Sequence, residues 1–596
     1  MRRFLTAGLV CLWRGSTARA QVLFQHFYYP TPDFTVENSW WIQAREQLAE
    51  LKKLGVWGRW HPVPTKGGSG AVSMGYDPYD LYDLGSKDQR GTVATHFGAK
   101  DQYLRYVAVA HSNGLSVISD VVLNHTGGAD RAEANPEMEK LNWDDISDDT
   151  KVPTDHLPPG YDPKTTNLRS WTGFLPKGAT GVPGTGRFQR NYKHFHPSAI
   201  HPNHDQPYHH PDFGSDYCFE AENKYVWNNL LRWGSWFKAQ SGVDGFRLDA
   251  VKLMEPEFLD EFSKIAGGAG FWQVGEFWDT NPQLLSTFQQ KTHNQMKLFD
   301  FGLFYALKDM VTKPDFDMRD LLSRRFADRE RAVTFVSNHD VDRYDPIPKD
   351  KRLLPYAILM AMSGQPSIFH QDYFSPVDAA LPETLRTLVG VHNGYAMNRK
   401  EKVLLATKDT LAIEREGGLV AVFVRPGAID QKLTIPTGWR NRNLVSVDGS
   451  LLHLRTDKKG TLQLTLPSGG WRLLAPEGLK PAKLTPRQHA TTQVYEFDDD
   501  LDTGKLGQLV RSVRVIAAKG TPLSAAISHT SGKGSVRLEL RDSDGRIIAT
   551  SSRGRGGRGP DIRLNAPSTG EYRFSVTAPG DKPTPGLLTI TYTAAI

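Results

Sequence analysis

The chain has 596 residues, with 72 Lys and Arg against 66 Asp and Glu and a formal net charge of +6. That length exceeds one hydrophobic core and calls for several domains, while 39% hydrophobic and 23% charged residues exclude a disordered chain. No internal apolar run is long enough to span a bilayer, and no basic block with interleaved aromatics marks a nucleic-acid binder.

Residues 1–20 read as a processing segment, with Arg2 and Arg3, an apolar stretch from Phe4 to Trp13, and Ala18-Arg19-Ala20 as cleavage site. The expectation is a secreted protein, extracellular or periplasmic. Cleavage after Ala20 also removes Arg14 and Arg19, and lowers the formal charge from +6 to +2. Cys11 is lost with it, so Cys218 stands alone and no intrachain disulfide forms. An exported chain of this kind relies on core size or on bound ions.

From residue 21 the pattern alternates strand and helix. Gln21 to Pro30 reads as a first strand, and Trp40 to Leu54 as a helix with Trp41, Ala44, Leu48, Leu51 and Leu54 on or near one face. Val56 to His61 is the second strand. The loop GYDPYDLYDLG carries Tyr76, Tyr79 and Tyr82, either packing the loop or offering one ring to a sugar. A helix over Phe97 to His111 and a third strand over Leu115 to Val122 follow. The section 126–213 is rich in Pro, Gly, Asp, His and Lys and breaks the rhythm, which predicts an inserted subdomain. Its His-rich stretch, Lys193 to His210, permits transition-metal binding without a compelling spacing. Ala221 to Phe237 is a helix leading into the fourth strand at Val243 to Leu248. Phe271 to Phe277 is the fifth strand, and Leu298 to Phe304 the sixth or the start of a helix. A helix at Phe316 to Phe326, a seventh strand at Val333 to Val336, a helix at Leu353 to Met362 and an eighth strand at Ser367 to His370 complete the count.

Eight strand–helix units predict a (β/α)8 TIM barrel in two parts, 21–125 and 214–394. A doubly wound open sheet is the alternative; it would collect its ligand at one crossover, whereas polar strand ends here recur after strands three, four, five and seven. After Gly394 short strands such as LVAVFV, QKLTI, TLQLTL and WRLLA predict a β-sandwich over 395–476. Residues 477–490 read as a linker, and 491–596 as a second C-terminal β-sandwich. In that last section Phe497, Tyr572 and Phe574 read as core, and SSRGRGGRGP as a solvated loop.

Four apolar runs end in chemistry. LSVISDVVLNH closes on Asn124 and His125, VDGFRLDAVK carries Arg247 and Asp249, FWQVGEFW carries Glu276, and AVTFVSNHD ends in His339 and Asp340. On a parallel barrel such strand ends form the catalytic rim. Two carboxyls across one bond, one ionised and one protonated, are what glycoside hydrolysis requires. Arg247 lies on the same side of its strand as Asp249 and favours the ionised form there. Phe277 and Trp278 promise a drier setting for Glu276, raising its pKa for proton donation. His125 and His339 offer hydrogen bonds to sugar hydroxyls. Asn124, with Asp212 or Asp216, offers oxygen ligands to calcium.

The segments DVVLNH, GFRLDAVK, GEFW and FVSNHD, in this order and spacing, resemble the four main motifs of the α-amylase family, glycoside hydrolase family 13. The resemblance runs from about Val22 to Gly478. It implies a barrel with a subdomain after its third strand, a following β-sandwich, and a retaining mechanism. By it, Asp249 matches the nucleophile, Glu276 the general acid/base, and Asp340 the acid that holds substrate hydroxyls. Tyr76, His125, Arg247 and His339 match residues around the reacting sugar, and Lys252 one on the leaving-group side. Asn124 and Asp216 match calcium ligands. Leu253 stands where many liquefying amylases have His, a position that gives calcium a backbone oxygen. The GGAD-containing insertion points to the bacterial liquefying branch.

The implied activity is endo-hydrolysis of α-1,4-glucosidic bonds in starch, glycogen and maltooligosaccharides by a secreted, monomeric enzyme. An exo-acting maltooligosaccharide-forming amylase and a 4-α-glucanotransferase share the chemistry up to the covalent intermediate. A non-catalytic carbohydrate-binding protein would have lost a central acid, and none is lost. The last section lies outside the resemblance; binding starch, mediating secretion and attaching to a surface are all open to it.

Overall fold

Eight parallel strands close on themselves: β1 (Leu23–Gln25), β2 (Gly58–His61), β3 (Ser116–Val121), β4 (Gly245–Leu248), β5 (Trp272–Gly275), β6 (Lys297–Phe299), β7 (Ala332–Phe335) and β8 (Gln365–Phe369). They pair in sequence order, and β1 shuts the barrel against β8 through Leu23↔Ser367 and Phe24↔Ile368. This computed structural model describes residues 21–596 apart from 33, 135–168, 177–183, 196–215, 269, 451, 484–487, 497–507, 530–535, 553–558 and 580–585. Residues 1–20, Asp212, Phe497, most of the inserted section and the centre of SSRGRGGRGP thus lie outside the described residues. Among the described residues no helix is long and apolar enough to cross a membrane.

Every residue of β2, β3, β4, β7 and β8 is buried, as expected for strands with side chains inside the barrel and helices outside. The register of β4 decides the site. Arg247 pairs with Asp120 on β3 and with Val274 on β5.

Several elements differ from expectation, each for a local reason. The first helix splits at Gln47 into Trp40–Glu46 and Leu48–Leu54, and the Gln47 Oε1 is 2.8 Å from Nε2 of His26, whose other ring nitrogen is 2.9 Å from Tyr106 Oη on the next helix. The segment at 298 is both strand and helix. β6 ends at Phe299, and Asp300 caps the helix Phe301–Thr312 by accepting from Leu303 N. The helix expected over 316–326 shrinks to one turn, Asp320–Ser323, because Phe316 and Met318 are drawn into the core. A helix at Pro282–Lys291 escaped notice. It was signalled by Asn281-Pro282, where the Asn side chain caps Gln283 N and Leu284 N and Pro occupies the first turn. In the inserted section, strands Arg131–Ala134 and Arg169–Gly173 pair antiparallel between β3 and β4.

Beyond the barrel, a six-stranded sheet carries Thr410–Arg415, Leu419–Val424 and Trp471–Pro476 at its centre. Its apolar runs are continuous because both faces are covered. Leu411, Ile413, Leu419, Ala421 and Phe423 join the barrel's core, while Ala412, Val420, Val422 and Val424 pack toward Leu433, Ile435 and Leu462 of the two-stranded sheet Gln431–Pro436/Thr461–Leu466. Two four-stranded antiparallel sheets make up the end of the chain, and Tyr572 and Phe574 are buried in their core.

This last unit packs on the barrel. Gln493 Nε2 donates to Leu104 O (3.0 Å) and Ser241 O (3.3 Å), and Ser112 Oγ donates to Ala594 O (2.8 Å). Gly242, at φ 75°, ends the helix Ala221–Ser241 there, and a Cβ at this position would lie 2.8 Å from Thr492 O. Gly242→Ala is expected to cost about 1–2 kcal/mol from the left-handed backbone alone, with relief of the Thr492 contact in addition. Thermal unfolding of the full chain checks this; a loss no larger than the backbone cost would show that the seam yields freely, and an unchanged Tm would contradict both contributions.

Candidate active site

Asp249 and Glu276 each stand one residue beyond a strand end, and backbone bonds hold both there. Asp249 N donates to Val121 O and Glu276 N to Leu248 O, each at 2.9 Å. The two acids thus continue the ladder of neighbouring strands, and the pleat turns them toward one guanidinium. Arg247, 0% exposed, donates from Nη1 to Asp120 Oδ1 (2.9 Å) and Asp249 Oδ1 (2.5 Å), and from Nη2 to Glu276 Oε1 (2.7 Å). Its Cζ lies 5.1 Å from the centre of the Trp60 ring. Ala250 N completes the Glu276 environment with a 3.3 Å bond to Oε2.

A hydrogen-bonded chain fixes the other side. Gln25 Nε2 donates to His339 Nδ1 (2.9 Å), which leaves the His339 proton on Nε2, 2.7 Å from Tyr76 Oη and 3.2 Å from Asp340 Oδ2. Tyr76 Oη in turn donates to Asp120 Oδ2 (2.8 Å), which also accepts from Trp60 Nε1 (3.0 Å). The Tyr76 and His339 rings stack 5.3 Å apart at 14°. His125 Nε2 is 2.8 Å from the Tyr76 carbonyl. Asp340 is the most open of the acids, its side chain 29% exposed. Lys252 pairs with Asp279 (3.0 Å).

Four acids around one arginine cannot all be ionised in a dry pocket. Burial pushes the carboxyls of Asp120, Asp249 and Glu276 above their ordinary range, against the pull of Arg247. Burial and the charge of Glu276 push Asp340 up as well. Burial, then the positive charge of Arg247, pushes His339 well down, so its imidazole is neutral. Burial also lowers His125 and raises Tyr76.

The sequence reading paired Arg247 with Asp249 alone. The cation in fact holds Glu276 as closely, so it does not separate the two acids by itself. Of the aromatic neighbours of Glu276, Phe277 packs against Phe288 and Trp278 stacks on Phe301. Asp120, Trp60 and Gln25 were missed as parts of the site. A carboxylate within the apolar run of β3 was the available signal for Asp120.

For a metal ion, the structure joins Asn124 and Asp216, each 2% exposed. Residues 125 and 216 form an antiparallel bridge, and Tyr217 N donates to Asn124 O (2.9 Å). The carboxylate of Asp216 and the amide oxygen of Asn124, both from buried residues, are the oxygen ligands that a hard cation takes. Leu253 closes the one-turn helix Val251–Leu253 after β4. A different donor group, His111, Asp244 and His489, brings its ligand atoms within 4.8 Å of one another.

The family model described as the alpha-amylase catalytic domain matches residues 44–378. The chain belongs to the α-amylase family. An α-amylase of Geobacillus stearothermophilus is 29% identical over 71% of this chain and 80% of its own length. The cytoplasmic α-amylase of Escherichia coli is 28% identical over 62% of this chain and 80% of its own. Among solved structures, an Anoxybacillus α-amylase matches at a TM-score of 0.52 with 18% identity, covering 78% of this chain and 99% of its own, a likeness of fold. The family's barrel carries every acid described above, since Asp120, Asp249, Glu276 and Asp340 all fall within the matched residues.

Proposed function

We propose that the chain is a secreted α-amylase that hydrolyses α-1,4-glucosidic bonds internally and with retention in starch, glycogen and maltooligosaccharides. The observation that carries this reading is the single guanidinium of Arg247 bridging Asp249 and Glu276. Retaining hydrolysis needs its two carboxyls about 5–5.5 Å apart, and inverting hydrolysis leaves room for a water between them; one fork holding both favours the shorter spacing. Asp249 attacks the anomeric carbon while Glu276 protonates the departing oxygen. Glu276 then takes a proton from the water that releases the sugar. Asp340, at the mouth, accepts from substrate hydroxyls, with His125, His339 and Tyr76 positioned around the reacting ring and Lys252 on the leaving-group side. Asn124, Asp216 and the backbone oxygen of Leu253 would hold calcium, whose charge offsets the buried Asp216 carboxylate. Export rests on the leader pattern, and the liquefying-branch assignment on the GGAD insertion.

A glucan 1,4-alpha-maltohexaosidase of Bacillus sp. (strain 707), 28% identical over 63% of this chain, keeps an exo-acting reading alongside, as a cyclomaltodextrin glucanotransferase 23% identical over 54% does for transfer. A time course on amylose separates them. A random ladder supports endo-hydrolysis, one short product exo-action, and longer products transfer. Proton NMR of the first product tests retention, an initial α-anomer being expected.

The pH dependence follows from the same acids. Activity falls on the acid side as Asp249 takes a proton, and on the alkaline side as Glu276 loses one. Burial raises both, so both limbs of kcat/KM are expected above ordinary carboxylate values of about 4, as macroscopic constants of the pair. An acid limb below about 4 would show that the pull of Arg247 outweighs burial at Asp249.

A further inference from the structure

We propose that His111, Asp244 and His489 form a binding site for a divalent transition-metal ion of the zinc class, at the seam between the barrel and the last pair of sheets. The site is distinct from the catalytic rim. Asp244 immediately precedes β4, whereas Asp249 immediately follows it, so the two lie at opposite ends of the same strand.

Three separate pieces of chain converge here. His111 comes from the last turn of the helix Lys100–Ser112 and is 2% exposed. Its Nδ1 meets Thr491 Oγ1 at 2.7 Å, and its Nε2 meets Asp244 Oδ2 at 2.9 Å. Asp244 Oδ2 also accepts from Val117 N (2.8 Å), while Oδ1 faces His489 Nε2 at 3.9 Å. The two imidazoles lie 4.2 Å apart. His489 N donates to His111 O, which fixes the approach of the third piece.

The donor chemistry selects the metal. Two imidazole nitrogens and one carboxylate are ligands that zinc takes, whereas calcium and magnesium prefer oxygen throughout. Metal–ligand bonds of about 2.0–2.2 Å put tetrahedral ligands roughly 3.3 Å apart. The present atoms reach that by modest rotation, chiefly of His489, whose side chain is 33% exposed. A ligating histidine is oriented by an acceptor on its other nitrogen, and Thr491 Oγ1 occupies that place on His111. A groove of about 370 Å³, lined also by Ser235, Lys238 and Thr492, leaves room for a fourth ligand. Its lysine, Lys238, donates to Gly267 O and lies over the Phe271 ring, 4.4 Å from its centre. An ion at this point ties the barrel to the segment that enters the last sheets, and so clamps them together.

The test uses the tag-free full chain, stripped with a chelator and returned to excess calcium. Co²⁺ is titrated while its visible absorption is read. The expected result is one Co²⁺ per chain with tetrahedral bands, displaced by one equivalent of Zn²⁺ and not by calcium. His489→Ala and Asp244→Asn lose that equivalent, and Thr491→Val weakens it about 10- to 100-fold. Zn²⁺ raises the Tm of the parent chain and leaves that of His489→Ala unchanged. The histidines between 194 and 210 remain in every variant, so only the equivalent lost with His489 counts. A His489→Ala chain that binds as many Co²⁺ ions as the parent, or gains as much Tm from Zn²⁺, overturns the site.

Discussion

Glu276→Gln is expected to lower kcat on a defined maltooligosaccharide about 10²- to 10⁴-fold, the usual worth of a general acid/base, with KM little changed. The amide keeps the volume of the carboxyl and still offers an oxygen to Arg247 Nη2, so the contact at 2.7 Å survives. What it cannot do is deliver a proton to the glycosidic oxygen. The bond to Ala250 N, already long at 3.3 Å, is lost at small cost, and the barrel stays folded. A second substrate makes the result specific. An aryl maltooligoside with an acidic phenol departs without a proton, so its glycosylation step is expected to be spared while deglycosylation slows. A burst of phenol followed by slow turnover is the signature. Equal loss on both substrates without a burst would assign Glu276 to positioning, and unchanged turnover would remove it from the chemistry.

How much of this was legible in the sequence follows from which interactions are local. Asp249 and Glu276 were found because each closes an apolar run, and a strand end is a property of adjacent residues. Arg247 was found beside Asp249 for the same reason. Its bonds to Asp120 and Glu276 were not, because they depend on the register Asp120↔Arg247 and Arg247↔Val274, which exists only once β3, β4 and β5 are side by side. Trp60 and Gln25 reach the site from β2 and β1, and no spacing announces a partner 60 or 314 residues away. The seam is the extreme case: residues 111, 244 and 489 share no motif, and only the docking of the last sheets brings them together. The helix Pro282–Lys291 is the opposite, a local signal present in Asn281-Pro282 and overlooked because only Leu285, Phe288 and Gln289 of it are buried.

Arg247→Met is expected to abolish activity and to lower stability by an amount that depends on pH. Methionine fills much of the space of the side chain, but Asp120, Asp249 and Glu276 lose the one cation that all three touch. Breaking a buried ionic contact from one side typically costs about 3–5 kcal/mol. The sign of its pH dependence is fixed by the acids. Burial already raises their folded-state pKa values above the unfolded ones. Such groups favour the folded chain fully below the unfolded pKa, near 4, and that contribution is lost as pH rises through the folded values. Without Arg247 the hydrogen bonds from Tyr76, Trp60 and Ala250 N remain to oppose burial, and with the cation gone the folded values rise further. The variant can therefore take up protons and fold at pH 4 with little penalty, while at pH 7 it must either ionise buried carboxyls or bind protons against their chemical potential. The Tm deficit relative to the parent is expected to be small at pH 4 and to grow toward neutrality. An equal deficit at both values would mean that lost packing, not charge, dominates. Arg247→Lys separates charge from shape. A single ammonium cannot present two nitrogens to Asp249 and Glu276 in one plane, so much of the neutral-pH stability should return while activity stays at least tenfold down. Recovery of full activity in the lysine variant would show that the bridging fork is not what sets the two carboxyls for reaction.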